Sequence, residues 1–182
     1  MKKIIYAVLI VLFVPFFNSC TKKSANDPLI SLKTRNGRIT GEWKLISYDR
    51  VSTSTSIVSG TTTTSTFTST FDGTSVINVY SNNDTDTSSF AFTVSINNDG
   101  TYTNTTTDSY NDVEVTTGEW WWLNNNRRKT RIAFDDDYDS WNIDKLGNRT
   151  LIVIDNTNEE TTDADGDVNS YVVTNTMTFE KQ

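Results

Sequence analysis

The chain has 182 residues and a formal net charge of −7, with 31 Thr, 18 Ser, 19 Asn, one cysteine and no histidine. The lack of histidine excludes Ser-His-Asp triads, Cys-His pairs and histidine-ligated zinc or iron sites. The negative charge argues against a nucleic-acid partner, which would require a basic face. Thr is β-branched, and Ser and Asn compete for local backbone hydrogen bonds, so the composition favours strands and turns over long helices.

The N-terminus has the features of an export signal. Two lysines precede an uncharged, mostly apolar run over residues 4–17. As a helix this run would span about 21 Å, which is short of the roughly 30 Å hydrocarbon core of a bilayer. It therefore predicts a removable signal peptide over residues 1–19, with a retained anchor helix as the alternative. Residues 17–20, Phe-Asn-Ser-Cys, resemble the lipobox of bacterial lipoproteins.

The lipobox resemblance implies cleavage before Cys20 and acylation of that residue, so the membrane is the first expected partner. Two or three acyl chains make such an anchor effectively permanent. Residues 20–38 are then a lipidated tether that ends in a short helical turn, with Asp27 as its cap and Pro28 as its first residue. The residue after Cys20 is not Asp, which by the lipoprotein sorting rule implies the bacterial outer membrane. Two lysines follow in place of acidic export residues, which favours a periplasm-facing anchor over a surface-facing one.

Residues 39–182 carry strand patterns and form one predicted domain. Phe90, Phe92, Val94 and Ile96 alternate with small and polar residues, the period of a half-buried strand. The apolar run at 151–154 predicts a strand covered on both faces. The Thr- and Ser-rich run at 61–70 predicts a long, mobile hairpin, with a disordered linker as the alternative. Turn clusters separate such segments regularly, which predicts an antiparallel meander of about eight to ten strands.

A lipocalin resemblance rests on the order of several short motifs. Gly41-Glu42-Trp43 is similar to the Gly-x-Trp that opens the lipocalin barrel, and the segments around Trp120 and Trp141 follow in the order seen in lipocalin-like lipoproteins of Bacteroidetes. The resemblance implies an all-β fold, a single antiparallel up-and-down β-barrel or curved sheet of the calycin type. Gly41 and Trp43 would then plug one end. The chain departs from lipocalins because it has no C-terminal helix pattern, and no basic residue over Trp43 is identified.

Two further segments are candidate sites. In the run Trp120-Trp121-Trp122, alternation places the first and third indoles on one face. The favoured interpretation is barrel core plus one rim aromatic, and the alternative is stacking on sugars or partner proteins. Asp163, Asp165 and Asp167 resemble the first half of a calcium loop, but the glycine stands at the wrong position for an EF-hand. The favoured interpretation there is a polar hairpin loop without a metal.

The acidic residues lie in turn clusters or at strand ends, with none alone in an apolar run where burial would raise its pKa. We therefore predict a non-catalytic protein without a cofactor. Two functions stay open. The resemblance implies a membrane-anchored carrier whose barrel holds a small apolar or amphipathic ligand. Bulky inward side chains favour the alternative, a cell-envelope scaffold with a filled barrel that binds protein or glycan through its loops. The sequence predicts no oligomeric state.

Overall fold

The structure, a computed structural model, describes residues 34–123, 129–163 and 165–182. The predicted signal peptide, Cys20 and the predicted cap at Asp27 lie outside these residues. The described part holds one helix and eleven strands: α1 (Arg35–Ile39), β1 (Gly41–Val58), β2 (Thr61–Phe71), β3 (Ser75–Val79), β4 (Thr85–Ser89), β5 (Ala91–Ile96), β6 (Thr101–Thr107), β7 (Val113–Trp122), β8 (Arg131–Phe134), β9 (Asp136–Leu146), β10 (Thr150–Thr162) and β11 (Val168–Lys181). Over the same residues, no helix has the length and apolarity needed to cross a bilayer.

Eight of the strands close into an antiparallel barrel. Strands β5 to β11 pair in chain order, and β1 closes the ring because it pairs with β5 on one side and with β11 on the other. The remaining strands, β2, β3 and β4, extend the sheet from the outer part of β1. The all-β, up-and-down barrel prediction is confirmed, and the architecture is consistent with a lipocalin-like, calycin barrel.

One predicted strand differs from the structure on its outer face, which no second layer of the described residues covers. Leu151 and Val153 point inward and are fully buried, whereas Ile152 and Ile154 point outward and are half-buried. The prediction that residues 151–154 are covered on both faces is therefore wrong. The Thr-rich segment forms β2 and pairs with β1 along its whole length, so the hairpin prediction is confirmed.

The three longest ladders continue beyond the barrel as a four-stranded sheet that we call the arm. It consists of residues 52–58 of β1, 61–67 of β2, 156–162 of β10 and 168–174 of β11, hydrogen-bonded in the order β10-β11-β1-β2. Most of its side chains are exposed or half-buried. Thr suits such a sheet, because it combines a high strand preference with a hydroxyl that tolerates water on either face.

The hydrophobic core fills the end of the barrel at which β1 begins. The largest fully buried side chains there are Trp43, Phe179, Ile39, Ile96, Ile132, Leu146, Leu151, Val94 and Val153. Helix α1 covers this end, and its cap is Thr34, whose hydroxyl accepts a hydrogen bond from the Gly37 amide at 3.1 Å. Each such side chain contributes roughly 1.5–3 kcal/mol through burial. We call this end the closed end; the arm projects from the opposite end.

Candidate functional site

A cavity of about 440 Å³ lies between the core and the arm. Apart from one asparagine, its walls are apolar or aromatic; the lining residues are Leu45, Tyr48, Phe71, Val76, Phe90, Phe92, Asn104, Phe134, Trp141 and Met177. They come from strands β1, β2, β3, β5, β6, β8, β9 and β11 and from the residue that precedes β5. The cavity therefore belongs to the barrel and to the strands that extend its wall, and no single loop builds it.

A bulge in β1 decides which side chains reach the cavity. The register between β1 and β11 shifts between Leu45 and Ser47, with Ile46 as the extra residue. Simple alternation from Leu45 would turn Ser47 inward. Because the bulge inserts one residue, Tyr48 faces inward instead, and so does every second residue after it.

Aromatic rings in edge-to-face and stacked contact form the floor of the cavity. The ring of Phe134 lies 4.9 Å from that of Tyr102 and 4.8 Å from that of Trp141, measured between ring centres. Trp141 stacks on Phe179 at 5.0 Å. Such pairs are each worth about 0.5–1.5 kcal/mol beyond burial, so the floor is held in one arrangement before any ligand arrives.

A guanidinium group lies next to the cavity on the side of the arm, where we place the mouth. Arg50 follows Tyr48 by two residues on the same face of β1, and its Nη2 donates a hydrogen bond to the Tyr171 hydroxyl at 3.2 Å. Hydrogen bonds from Arg50 to Tyr171 and then to Tyr48 raise the pKa of the arginine. The pKa of Tyr171 is lowered by its hydrogen bonds with Ser52 and then with Arg50.

Three polar atoms on or next to the cavity are buried without a hydrogen-bond partner among the described residues. They are Nε of Arg50, Oδ1 of Asn175, which is the cross-strand partner of Arg50, and Oδ1 of Asn104 on the cavity wall. An unpaired buried polar group costs about 1–3 kcal/mol. The cavity thus combines an apolar interior with polar groups that a bound molecule could satisfy.

Trp43 and Gly41, the predicted plug, lie at the closed end. Trp43 is fully buried, and its Nε1 donates to the Ile39 carbonyl at 2.6 Å. The Nζ of Lys181 lies 4.9 Å from the Trp43 ring centre and donates to the carbonyls of Arg38 and Thr40. A Cβ at Gly41 would collide with the Lys181 side chain.

Lys181 is therefore the basic residue over the plug that the sequence reasoning missed. It follows Phe179 by two residues in the last strand, and Phe179 is fully buried. Strand alternation places both side chains on the same, inward face. The two-residue spacing from Phe179 was the sequence feature that could have identified Lys181.

The three consecutive tryptophans lie at the closed end, away from the cavity. Trp120 belongs to the core, and its ring packs edge-on against Trp122 at 5.9 Å, so these two indoles share a face as predicted. Trp122 donates from Nε1 to Asn36 at 2.9 Å. A surface groove of about 430 Å³ is lined by all three tryptophans together with Asn36, Thr40, Asn98, Asp99 and Gly100.

The candidate calcium ligands do not converge. Asp163 accepts hydrogen bonds on Oδ1 from the amides of Asp165 and Asp167, both at 3.0 Å, while Asp167 accepts from the Ser59 amide at 3.1 Å. Among the described residues, no three or more His, Cys, Asp or Glu side chains are grouped to hold a metal ion. The carboxylates instead hold a hairpin loop between β10 and β11 and tie it to the tip of β1.

Comparison of the chain with protein-family models, with curated proteins and with solved structures gives no match. Cys20, the predicted lipid-attachment residue, lies outside the described residues. The functional argument therefore depends on the cavity and its polar mouth.

Proposed function

We propose that the protein is a non-catalytic carrier, held at the bacterial outer membrane by acyl chains on Cys20, whose barrel cavity holds one small apolar or amphipathic molecule. The observation that carries this proposal is the cavity itself. Its volume of about 440 Å³ falls within the range of about 300–1,000 Å³ that is typical of small-molecule sites. A cavity of this size accommodates a single ligand.

The composition of the walls supports an apolar ligand body. Nine of the ten lining residues are aromatic or aliphatic, and the exception is Asn104. Burying ligand surface against such walls contributes roughly 25 cal/mol per Å² of apolar area. Because nearly all of the walls are strands of the barrel and of the sheet that extends it, binding does not have to order a long loop, and the associated entropic cost is small.

A cavity-filling substitution tests the proposal. Val76 lines the cavity from β3, while its neighbour Ile77 lies on the opposite, outer face and is 37% exposed. We expect Val76→Phe to weaken ligand binding by at least about tenfold, because one added ring displaces ligand volume. Ile77→Phe is the matched control and should bind as the wild type does. The measurement is tryptophan fluorescence during titration with fatty acids, retinoids and tetrapyrroles, since Trp141 lines the cavity.

Two outcomes would contradict the carrier. One is the absence of saturable binding by every member of the panel, and the other is equal weakening by both substitutions.

The alternative function, a scaffold that binds a glycan, is favoured by the groove of about 430 Å³ in which Trp121 and Trp122 lie beside amide and carboxylate groups. That alternative would be established if no ligand of the panel changed the tryptophan fluorescence and if the wild type bound a glycan that Trp121→Ala did not bind.

A further inference from the structure

We infer that the cavity selects amphiphiles that carry a single carboxylate, and that Arg50 binds this headgroup at the mouth. The inference deepens the proposed carrier function and rests on it. Its basis is the juxtaposition of an apolar cavity with one guanidinium that has no counterion among the described residues.

The strand register places Arg50 directly above the cavity. Tyr48, Phe71, Val76 and Met177 form one cross-strand row of the sheet, and all four line the cavity. The row two residues farther from the closed end is polar and lies on the same face, because side chains alternate along a strand. We call it the polar row; its members are Asp155, Asn175, Arg50, Ser69, Asn78 and Asp86.

The guanidinium of Arg50 is not paired with a carboxylate in the described part of the chain. Among the side chains that the structure describes, none of the Asp or Glu residues lies within 4.0 Å of its guanidinium, and its hydrogen bonds go to the hydroxyls of Tyr171 and Tyr48. Its Nε is buried and unpaired. By contrast, Arg149 on the outer surface pairs with Glu180 at 3.4 Å. A guanidinium presents donors that match both oxygens of a carboxylate, and these charge-assisted bonds are about twice as strong as neutral ones.

The surroundings of Arg50 limit the headgroup to one negative charge. Asp155 and Asp86 stand at the two ends of the polar row, and Glu159 is close enough to Tyr171 to influence its pKa. These three carboxylates repel additional anionic charge. A phosphate dianion would meet one cation among several anions, whereas a carboxylate is neutralised by Arg50 alone.

The depth of the cavity gives the ligand its direction. A carboxylate at Arg50 has the row of Tyr48 immediately beneath it and the aromatic floor of Trp141 and Phe134 below that. The apolar tail therefore points toward the closed end. Asn104 on the wall presents a buried, unpaired amide oxygen, which a hydroxyl on the tail could satisfy.

The test compares an acid with its neutral ester on the full-length chain. The probes are a brominated fatty acid and its methyl ester, whose bromine quenches tryptophan fluorescence on contact, and Trp141→Phe identifies the quenching that arises in the cavity. We expect the wild type to bind the acid at least about tenfold more tightly than the ester, as one charge-assisted contact would produce. Arg50→Met should bind both probes with the affinity of the ester, and Arg50→Lys should keep part of the preference.

Arg149→Met is the matched control, because it removes a positive charge from the outer surface, where the Arg149 side chain is 78% exposed. It should leave the acid preference unchanged. Equal binding of acid and ester by the wild type would overturn the inference and leave the carrier proposal standing; this comparison requires no variant to fold. A preference that survives Arg50→Met would also overturn it. Saturable binding of neither probe would overturn the inference, whereas the carrier proposal is overturned only if the retinoids and tetrapyrroles of the panel also fail to bind.

Discussion

Asp135 ties three strands together through one carboxylate. It lies between β8 and β9 with φ at +55°, and accepts the Tyr102 hydroxyl at 2.6 Å on Oδ2 and the Glu119 amide at 2.9 Å on Oδ1. These hydrogen bonds, that of Tyr102 first, hold the pKa of Asp135 below its ordinary value. The carboxylate lies directly against Gly118, where any Cβ would overlap it. A side chain at position 118 would therefore displace the Asp135 carboxylate from its hydrogen bonds with Tyr102 and Glu119.

Tyr102→Phe should raise the pKa of Asp135 toward its unfolded value of about 3.9. Because the folded pKa is the lower one, the Tyr102 bond adds to the free energy of unfolding above the unfolded pKa, and this contribution disappears as pH falls through the folded pKa. The variant should therefore be less stable than the wild type near pH 7, with a difference that shrinks in acid. Urea unfolding at several pH values measures it.

The control for this pH dependence is the same substitution in an Asp135→Asn background, which has no carboxyl to titrate at this position. There, the stability difference caused by Tyr102→Phe should not vary with pH. A difference that is constant with pH in the wild-type background would contradict the assigned hydrogen bond.

At the scale of elements, hydrophobic alternation predicted the strands that bury one apolar face. Residues 90–96 have such a face, and β5 is found there. Strand β4, with the sequence TDTSS, has no apolar face, and it forms because its backbone pairs with that of β3. The cavity mouth was beyond prediction for a related reason: alternation from Trp43 would turn Ser47 and Asp49 inward, and only the bulge at Ile46 brings Tyr48 and Arg50 to that face.

The β1–β2 hairpin depends on a two-residue turn with left-handed backbone. Ser59 has φ at +49° and Gly60 at +78°, the signs that a type I′ turn requires. Gly60→Val should weaken the arm by about 1–3 kcal/mol, because a β-branched residue is strained at positive φ. Hydrogen exchange should accelerate at arm amides between residues 52 and 67. The control, Ser59→Asn, should not accelerate exchange, because Asn tolerates positive φ. Equal acceleration at core amides such as that of Trp43 would contradict a local effect.

At the scale of the whole molecule, the described chain both enters and ends at the closed end of the barrel. The described chain enters at Thr34, forms α1 across the closed end and begins β1 there, and β11 returns to the same end, where Lys181 contacts Trp43. The cavity opens toward the arm, at the other end of the barrel. If the anchor is at Cys20, as proposed, it precedes the closed end in the chain, and we expect the mouth of the cavity to face away from the bilayer.

This orientation predicts a contrast between two labelled positions in the membrane-bound full chain. Asn148 is exposed in the turn before β10 at the closed end, and Thr61 is exposed at the tip of the arm. The 18 residues of β1 reach up to about 60 Å at about 3.3 Å each, so the two positions are far apart. A fluorophore on Asn148→Cys should be quenched by spin-labelled lipid headgroups, whereas one on Thr61→Cys should not. Adding Cys20→Ser should abolish the contrast, because nothing would then hold the closed end at the bilayer. Stronger quenching at Thr61 in the anchored chain would reverse the orientation and direct the cavity mouth to the membrane.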